Sequence, residues 1–458
     1  MIPTAEGLSH LFDLVDTLPT EHVPLRHAAG RVLAQDVAAT RDQPPFAASA
    51  MDGYAVVAED AVTARQLQVI GEAAAGHGFA GEVTAGTAAR IFTGAPIPKG
   101  ATRVIIQEDV RRDGDVITLG EDLDTSHYIR PSGADFKTGD LMSAPRLLTP
   151  SDIALLAAMN VPNVTVTRKP IVAIIATGDE LVQPGEVPSE DQIIASNSYG
   201  LCALFEQNGA EVRLLPIARD NVPALQLAFD LAKGADLIIT IGGASVGDHD
   251  LVGQVAVDQG MQRAFYKVAM RPGKPLMGGR LGGAMMIGLP GNPVSAMVCG
   301  HVFVLPVVRA MMGLPATPAP RLRAQLGRAV KANGPREHYM RAVVENGAIA
   351  DCEDQDSALL SVLSQANALM VRPVGDEARA GRARRLLADG DHGTVLALAA
   401  EASWLLDLRR FEPLPVLVDG ATSLLTTAAL RTLSRALPGE LRRRWRLLFS
   451  STRDGGAY

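Results

Sequence analysis

The chain has 458 residues, enough by ordinary domain size for about three separate cores, and its 47% hydrophobic and 20% charged residues are globular composition. Lys and Arg number 43 against 50 Asp and Glu, a net charge of −7, with no polybasic run before the C-terminal region. That balance excludes a general nucleic-acid or membrane-surface binder and points to a small-molecule partner. Cys202, Cys299 and Cys352 are odd in number, far apart and without metal-ligand spacing, as expected of reduced core residues in a cytosolic protein. The N-terminus lacks the basic patch and apolar core of a signal peptide. The most apolar tract, about 284–314, is broken by Pro290, Pro293 and Pro306 and carries His301 and Arg309, so it reads as a buried strand and helix of a soluble, cytoplasmic chain.

In chain order, Leu8, Leu11, Phe12, Val15 and Leu18 recur at helical spacing and predict an opening helix over 4–18 capped by Thr4. From Asp36 to Asp140 short apolar runs such as 53–57, 90–93 and 103–107 alternate with Gly, Pro and Asp, the mark of a β-rich domain. A second helical pattern, 151–159, resembles the first, so the β-rich part (39–139) is expected to be inserted into a helical linker domain made of 1–38 and 140–168. Over 169–318 the apolar runs 171–176, 212–217, 237–241 and 285–289 alternate with helical stretches 198–208, 222–233 and 294–311, which predicts an α/β domain with a mostly parallel sheet. Short β-like runs at 322–330, 340–344 and 368–372 predict a small closing β domain over 319–381. Beyond Gly381 the composition turns Arg- and Leu-rich, both tryptophans (Trp404, Trp445) appear, and no lysine follows Lys331. The tail 382–458 reads either as an extra helical module or as the product of a shifted reading frame.

Ligands of parallel sheets bind outside the carboxyl ends of the strands, and here each such end opens into a polar loop. The four are Thr177-Gly178-Asp179-Glu180, Arg219-Asp220, Gly242 to Asp250, and Gly288-Leu289-Pro290-Gly291-Asn292-Pro293-Val294-Ser295. In the last, Pro290 and Pro293 fix φ, Gly291 permits unusual backbone angles, and the following helix start offers N–H groups to an anion. Glycines let backbone approach a phosphate, Ser245 donates a hydrogen bond, and Glu180, Asp220, Asp248 and Asp250 add carboxylates. Carboxylates beside a phosphate need a hard cation between them, which implies Mg²⁺. Taken singly, Asp179 and Asp248 read as helix caps. Arg271-Pro272-Gly273-Lys274-Pro275, with Lys267 before it, holds cations on a stiff turn suited to an oxyanion. Asp52 and Thr93 lie in tight turns of the β-rich domain, where an Asx-turn is the commoner meaning, and Arg130 and Asp135 are similarly ambiguous. No HExxH or GxSxG pattern occurs, so metalloprotease and esterase chemistry lose their main support.

The segments PPFAASAMDGYA, RIFTGAPIPKGA, IRPSGADFKTGD, ATGDELV, GGASVGDHD, RPGKP and GLPGNPVSA, in this order over residues 1 to about 380, resemble the molybdopterin molybdenumtransferase family, which includes the E domain of gephyrin. The resemblance implies insertion of molybdenum from molybdate into adenylylated molybdopterin, with a divalent cation and release of AMP. By motif it implies Glu180, Asp220 and Asp250 for the metal and pyrophosphate, and Thr177, Gly243, Ser245 and Asp248 for the pterin nucleotide, with Pro290 and Pro293 shaping the cradle. It implies Arg271, Lys274 and Ser295 for molybdate, joined by Arg341 and Ser357 from the last domain. Asp52 and Asp135, as further catalytic residues, and Thr93 and Arg130, as binding residues, match the family's inserted domain, which in the family's homodimer lines the cleft of the opposite subunit.

Three departures from the family pattern stand out. Arg271 replaces a common lysine, Ala134 replaces a usual glutamate beside Asp135, and the tail after Gly381 replaces the expected closing strand of the small β domain. Two other readings compete: the adenylylating step just before, performed by a related α/β domain, and a non-catalytic pterin- or molybdate-binding scaffold.

Overall fold

The computed structural model describes residues 1–243, 251–345 and 347–379 and the backbone of 392–397. These lie within one compact unit, Met1–Leu398. The remainder of the tail, with Trp404 and Trp445, lies outside the described residues.

The centre is a six-stranded sheet built from β1 (Ile171–Ala176), β2 (Glu211–Leu214), β3 (Leu237–Ile241), β4 (Gln262–Tyr266), β5 (Met277–Leu281) and β6 (Ala284–Leu289), in spatial order β2-β1-β3-β6-β5-β4. The first four in that order are parallel, and β5 and β4 add an antiparallel edge. Parallel strands need both faces covered, and period-two alternation supplies two apolar faces from one run. Val172 and Ile174 enter one core while Ala173 and Ile175 enter the other. On the first face pack α1 (Thr4–Phe12), α3 (Asn197–Gln207) and α6, the continuous helix Pro293–Met311, which contains a π segment at Gly300–Val304. On the second pack α4 (Val222–Leu231) and α5 (Leu251–Asp258). Here α2 denotes Pro150–Ala158, outside this sandwich. The α6 helix has the length and apolarity of a membrane span, but 78% of its apolar window is buried inside the protein, as a core helix requires.

The opening helix corrects the sequence expectation in two ways. It ends at Phe12, and Pro3 precedes it without a side-chain cap, Thr4 being its first residue. Val15 and Leu18 still pack on the core from a non-helical segment, so apolar spacing persists where the helix does not. Its partner is also different. Leu8 and Leu11 pack against β4, β5 and the end of α6, whereas Leu156 and Met159, in and just after α2, share a separate cluster with Leu33, Val164 and Val166. The expected helical linker domain is therefore a four-stranded antiparallel sheet (20–24, 163–167, 32–33, 146–147) carrying α2 and a short 3-10 helix at Leu25–His27. A capping box sets the start of α2: Thr149 Oγ1 accepts from Asp152 N, while Asp152 accepts from Thr149 N.

The inserted β-rich region holds a six-stranded sheet that includes Gly53–Val56, Thr87–Ile91 and Arg103–Ile106, near three of the predicted runs. The last region pairs Met270–Arg271, Leu322–Leu326, Glu337–Glu345, Ala348–Asp351, Ala368–Arg372 and His392–Ala397 in one sheet. Although the composition of the tail predicts the loss of a closing strand, the His392–Ala397 backbone pairs antiparallel with both Leu322–Leu326 and Ala368–Arg372 and supplies one.

Candidate active site

The sheet order reverses beside β1: the chain leaves β1 for β2 on one side and returns to β3 on the other, and a crevice opens at such a point. A cleft of about 640 Å³ lies there, lined by all four predicted strand-end loops through Thr177, Glu180, Asp220, Gly242, Gly243 and the turn Pro290 to Pro293. Ser245, Asp248 and Asp250 belong to 244–250, outside the described residues.

Backbone bonds fix the acidic wall. Thr177 is buried at the end of β1, where its N–H donates to Ile241 O (2.9 Å), and Gly178 N donates to Ala218 O (3.1 Å). The loops after β1 and β2 are then tied together, since Asp220 N donates to Asp179 Oδ1 (3.2 Å) and Arg219 Nη1 donates to Asp179 O (2.8 Å). Asp179, Glu180 and Asp220 stand close enough to interact. Partial loss of solvent, and then the like charges of Asp179 and Glu180, raise the Asp220 carboxyl above its ordinary range.

Glycine is required where the cleft floor is made. Gly242 has φ +91° and a Cβ there would stand 2.7 Å from Thr177 O; Gly243 has φ +65° and a Cβ would stand 2.2 Å from Val252 Cγ2. The sequence predicts the same freedom for Gly291, which does not have a positive φ. A Cβ there would make only an ordinary contact with Gly242 Cα (3.5 Å), and the Gly291 carbonyl accepts from Asn197 Nδ2 (2.7 Å).

The donor set fits the implied Mg²⁺. Among the described residues no group of three or more His, Cys, Asp or Glu is poised to hold a metal. Mg²⁺ commonly takes one or two carboxylates plus water and substrate phosphates, which matches Glu180 and Asp220 on one wall, both hard oxygen donors with mutual repulsion to relieve.

None of Arg271, Lys274, Ser295, Arg341 or Ser357 is among the residues lining the cleft, although Pro275 and Ala358, next to two of them, are. Arg271 pairs in parallel register with His338, and the turn after it closes through Val268 N donating to Lys274 O (3.1 Å). His338 is buried, and burial first, then Arg271, Arg372, Arg336 and Arg341, push its pKa down to about 4. It is neutral at physiological pH and adds no further charge to the four arginines. Arg341 is only 1% exposed, with Nη1 donating to Asp356 O (2.6 Å), Nη2 to Asp354 O (3.2 Å) and Nε to Gln355 Oε1 (3.3 Å). That clasp sets Ser357 against the start of α6: Val294 N donates to Ser357 O (3.0 Å) and Asn292 Nδ2 to Ser357 Oγ (3.1 Å). Ser295 is 4% exposed on α6.

In the inserted region Asp52 Oδ1 accepts from both N and Oγ1 of Thr93 (2.7 Å each). The Thr93 backbone N–H first, then its hydroxyl, hold the Asp52 carboxyl below the usual range. Arg130, paired opposite Ala48, and Asp135, whose N–H donates to Gln43 O (2.9 Å), are exposed. None of these four lines the cleft of its own chain.

Sequence reading missed Ser196, Asn197 and Ser198, which line the cleft at the start of α3. A Ser-Asn-Ser run ahead of a helix reads as ordinary capping, and the available signal was that three polar residues stand where one cap suffices.

Residues 2–160 match the MoeA N-terminal region (domain I and II), 173–310 a probable molybdopterin binding domain, and 323–383 the MoeA C-terminal region (domain IV). A molybdopterin molybdenumtransferase from Nostoc is 37% identical over 80% of this chain and 88% of its own length. The chain belongs to the molybdopterin molybdenumtransferase family. Molybdopterin molybdenumtransferase 2 of Mycobacterium tuberculosis is 36% identical over 77% of this chain and 90% of its own. Among solved structures, a molybdopterin biosynthesis moeA protein from Pyrococcus horikoshii superimposes with a TM-score of 0.73 at 30% identity, covering 87% of this chain and all of that one. Fold and family membership thus extend over the same three matched regions.

Proposed function

We propose that the cleft inserts molybdenum from molybdate into adenylylated molybdopterin with release of AMP, the final step of molybdenum cofactor biosynthesis. The observation that carries the reading is the convergence of four strand-end loops on one cleft with unlike walls. Glu180 and Asp220 form one, and the helix starts of α3 and α6 the other.

The reaction cleaves a phosphoanhydride and brings an oxyanion to the dithiolene. A bound Mg²⁺ supplies charge neutralisation between the anhydride and the acids. Glu180 and Asp220 hold that cation at the cleft wall, Gly242 and Gly243 let backbone approach the nucleotide, and Pro290 and Pro293 keep the turn after β6 rigid. Arg271 and Lys274, beside Pro275 at the cleft edge, draw molybdate in; Arg341 holds the loop that carries Ser357.

A second copy of the chain completes the site. Thr93 keeps Asp52 ionised on the inserted domain, and with Arg130 and Asp135 that acid serves the partner's cleft rather than its own. Supplying the protein with adenylylated molybdopterin, Mg²⁺ and molybdate releases AMP on this reading. No release, with adenylylation of molybdopterin from ATP instead, would assign the preceding step.

A further inference from the structure

The two helix starts on the donor wall are not equivalent. At α6 the first position is Pro293, which has no N–H; Val294 N is taken by Ser357 O, and the side chain of Asn292 is turned to Ser357 Oγ. At α3, an eleven-residue helix, no side chain caps the first turn, and the first backbone bond closes only at Gly200 N to Ser196 O (3.2 Å). Asn197 is occupied elsewhere, its Nδ2 donating to Gly291 O (2.7 Å) and so bracing α3 against the turn after β6. Ser198 is 8% exposed, lines the cleft, and its hydroxyl has no hydrogen-bond partner among the described residues. The hydroxyl of a residue otherwise packed into the protein, opening on the cleft and unclaimed by any side chain or carbonyl among the described residues, is free to donate to a ligand there.

We infer that Ser198 and the first turn of α3 form a phosphate subsite, in which Ser198 Oγ–H and the first-turn N–H groups donate to a phosphate oxygen. The acids Glu180 and Asp220 face the same cleft, so the subsite takes a phosphate whose remaining charge is shared with a cation, as in a diphosphate. That this diphosphate belongs to the pterin nucleotide rests on the proposed reaction; the subsite itself does not.

The probe is inorganic pyrophosphate with Mg²⁺, titrated calorimetrically into the full chain. Ser198→Ala is expected to weaken binding roughly tenfold to a hundredfold, the range for a lost hydrogen bond to a charged group. Ser198→Thr, which keeps the hydroxyl, is expected to retain most of the affinity. If Ser198→Ala does not fold, Ser198→Cys, similar in size but a weak donor, is expected to show the same loss. Wild-type affinity in Ser198→Ala, or no pyrophosphate binding by the wild type, overturns the subsite. So does an Asn292→Ala change that abolishes binding while Ser198→Ala does not, since the anion then sits at α6. Loss of pyrophosphate binding in Ser198→Ala without any AMP release by the wild type would leave the subsite standing and reject the reaction.

Discussion

The two walls of the cleft meet the same problem, holding a polyanion, with opposite chemistry. The wall after β1 and β2 is charged and self-repelling, since Asp220 is raised by burial and by Asp179 and Glu180. The wall at α3 and α6 is neutral, made of a helix start, a hydroxyl and amides already tied to one another. The contrast teaches that the acidic wall can face a polyanion only through a cation, whereas the neutral wall donates to phosphate directly and leaves the rest of the charge to that cation. It follows that substitutions on the acidic wall trade stability against activity, while those that deform the glycine floor joining the two walls, at Gly242 and Gly243, lose both.

Asp220→Asn probes the first half of that statement. It is expected to lower AMP release roughly tenfold to a hundredfold, the order of effect seen when a metal's supporting groups are removed, and to shift the Mg²⁺ dependence upward. In metal-free protein the same change is expected to raise the melting temperature at neutral pH. A carboxyl with a raised folded-state pKa contributes stability below its unfolded value and loses it as pH rises through the folded value. The gain should therefore vanish as pH falls below about 4, and Mg²⁺ should reverse it. Equal melting curves for wild type and variant at neutral pH would remove the repulsion from the account.

Gly242→Ala probes the floor, with a smaller effect. Its φ of +91° and the 2.7 Å approach to Thr177 O are expected to destabilise the protein by about 1–3 kcal/mol, measured by denaturant unfolding. Activity at a temperature where the variant stays folded is expected to fall less than in Asp220→Asn. An unchanged unfolding midpoint would mean that the loop after β3 relaxes freely and the floor is not rigid.

The central strands were legible because β1, β3 and β6 are runs of Val, Ile, Leu, Met and Ala, interrupted only by Thr240 in β3 and Gly288 in β6, that feed two cores at once. The edge was not. β5 reads Met-Gly-Gly-Arg-Leu, and glycine hides its strand character, although Gly278 and Gly279 are there because a Cβ at either would come within 2.6 Å or 2.4 Å of its neighbours. The opening helix was overextended because burial continues through Val15 and Leu18 after the backbone has left the helix. The closing strand was hidden by a change of composition around His392 to Ala397, which strand pairing overrides. Of the site, the four loops were readable from strand ends alone. Ser198 was not, since its meaning depends on a cleft and on the absence of a partner, both tertiary facts.

The most direct test is a crystal structure of the full chain soaked with AMP, Mg²⁺ and molybdate. The account predicts a cation between Glu180 or Asp220 and the nucleotide phosphate, with that phosphate accepting from Ser198 at the start of α3. A nucleotide bound away from both walls, or a phosphate seated on α6 with no cation on the acids, would contradict it.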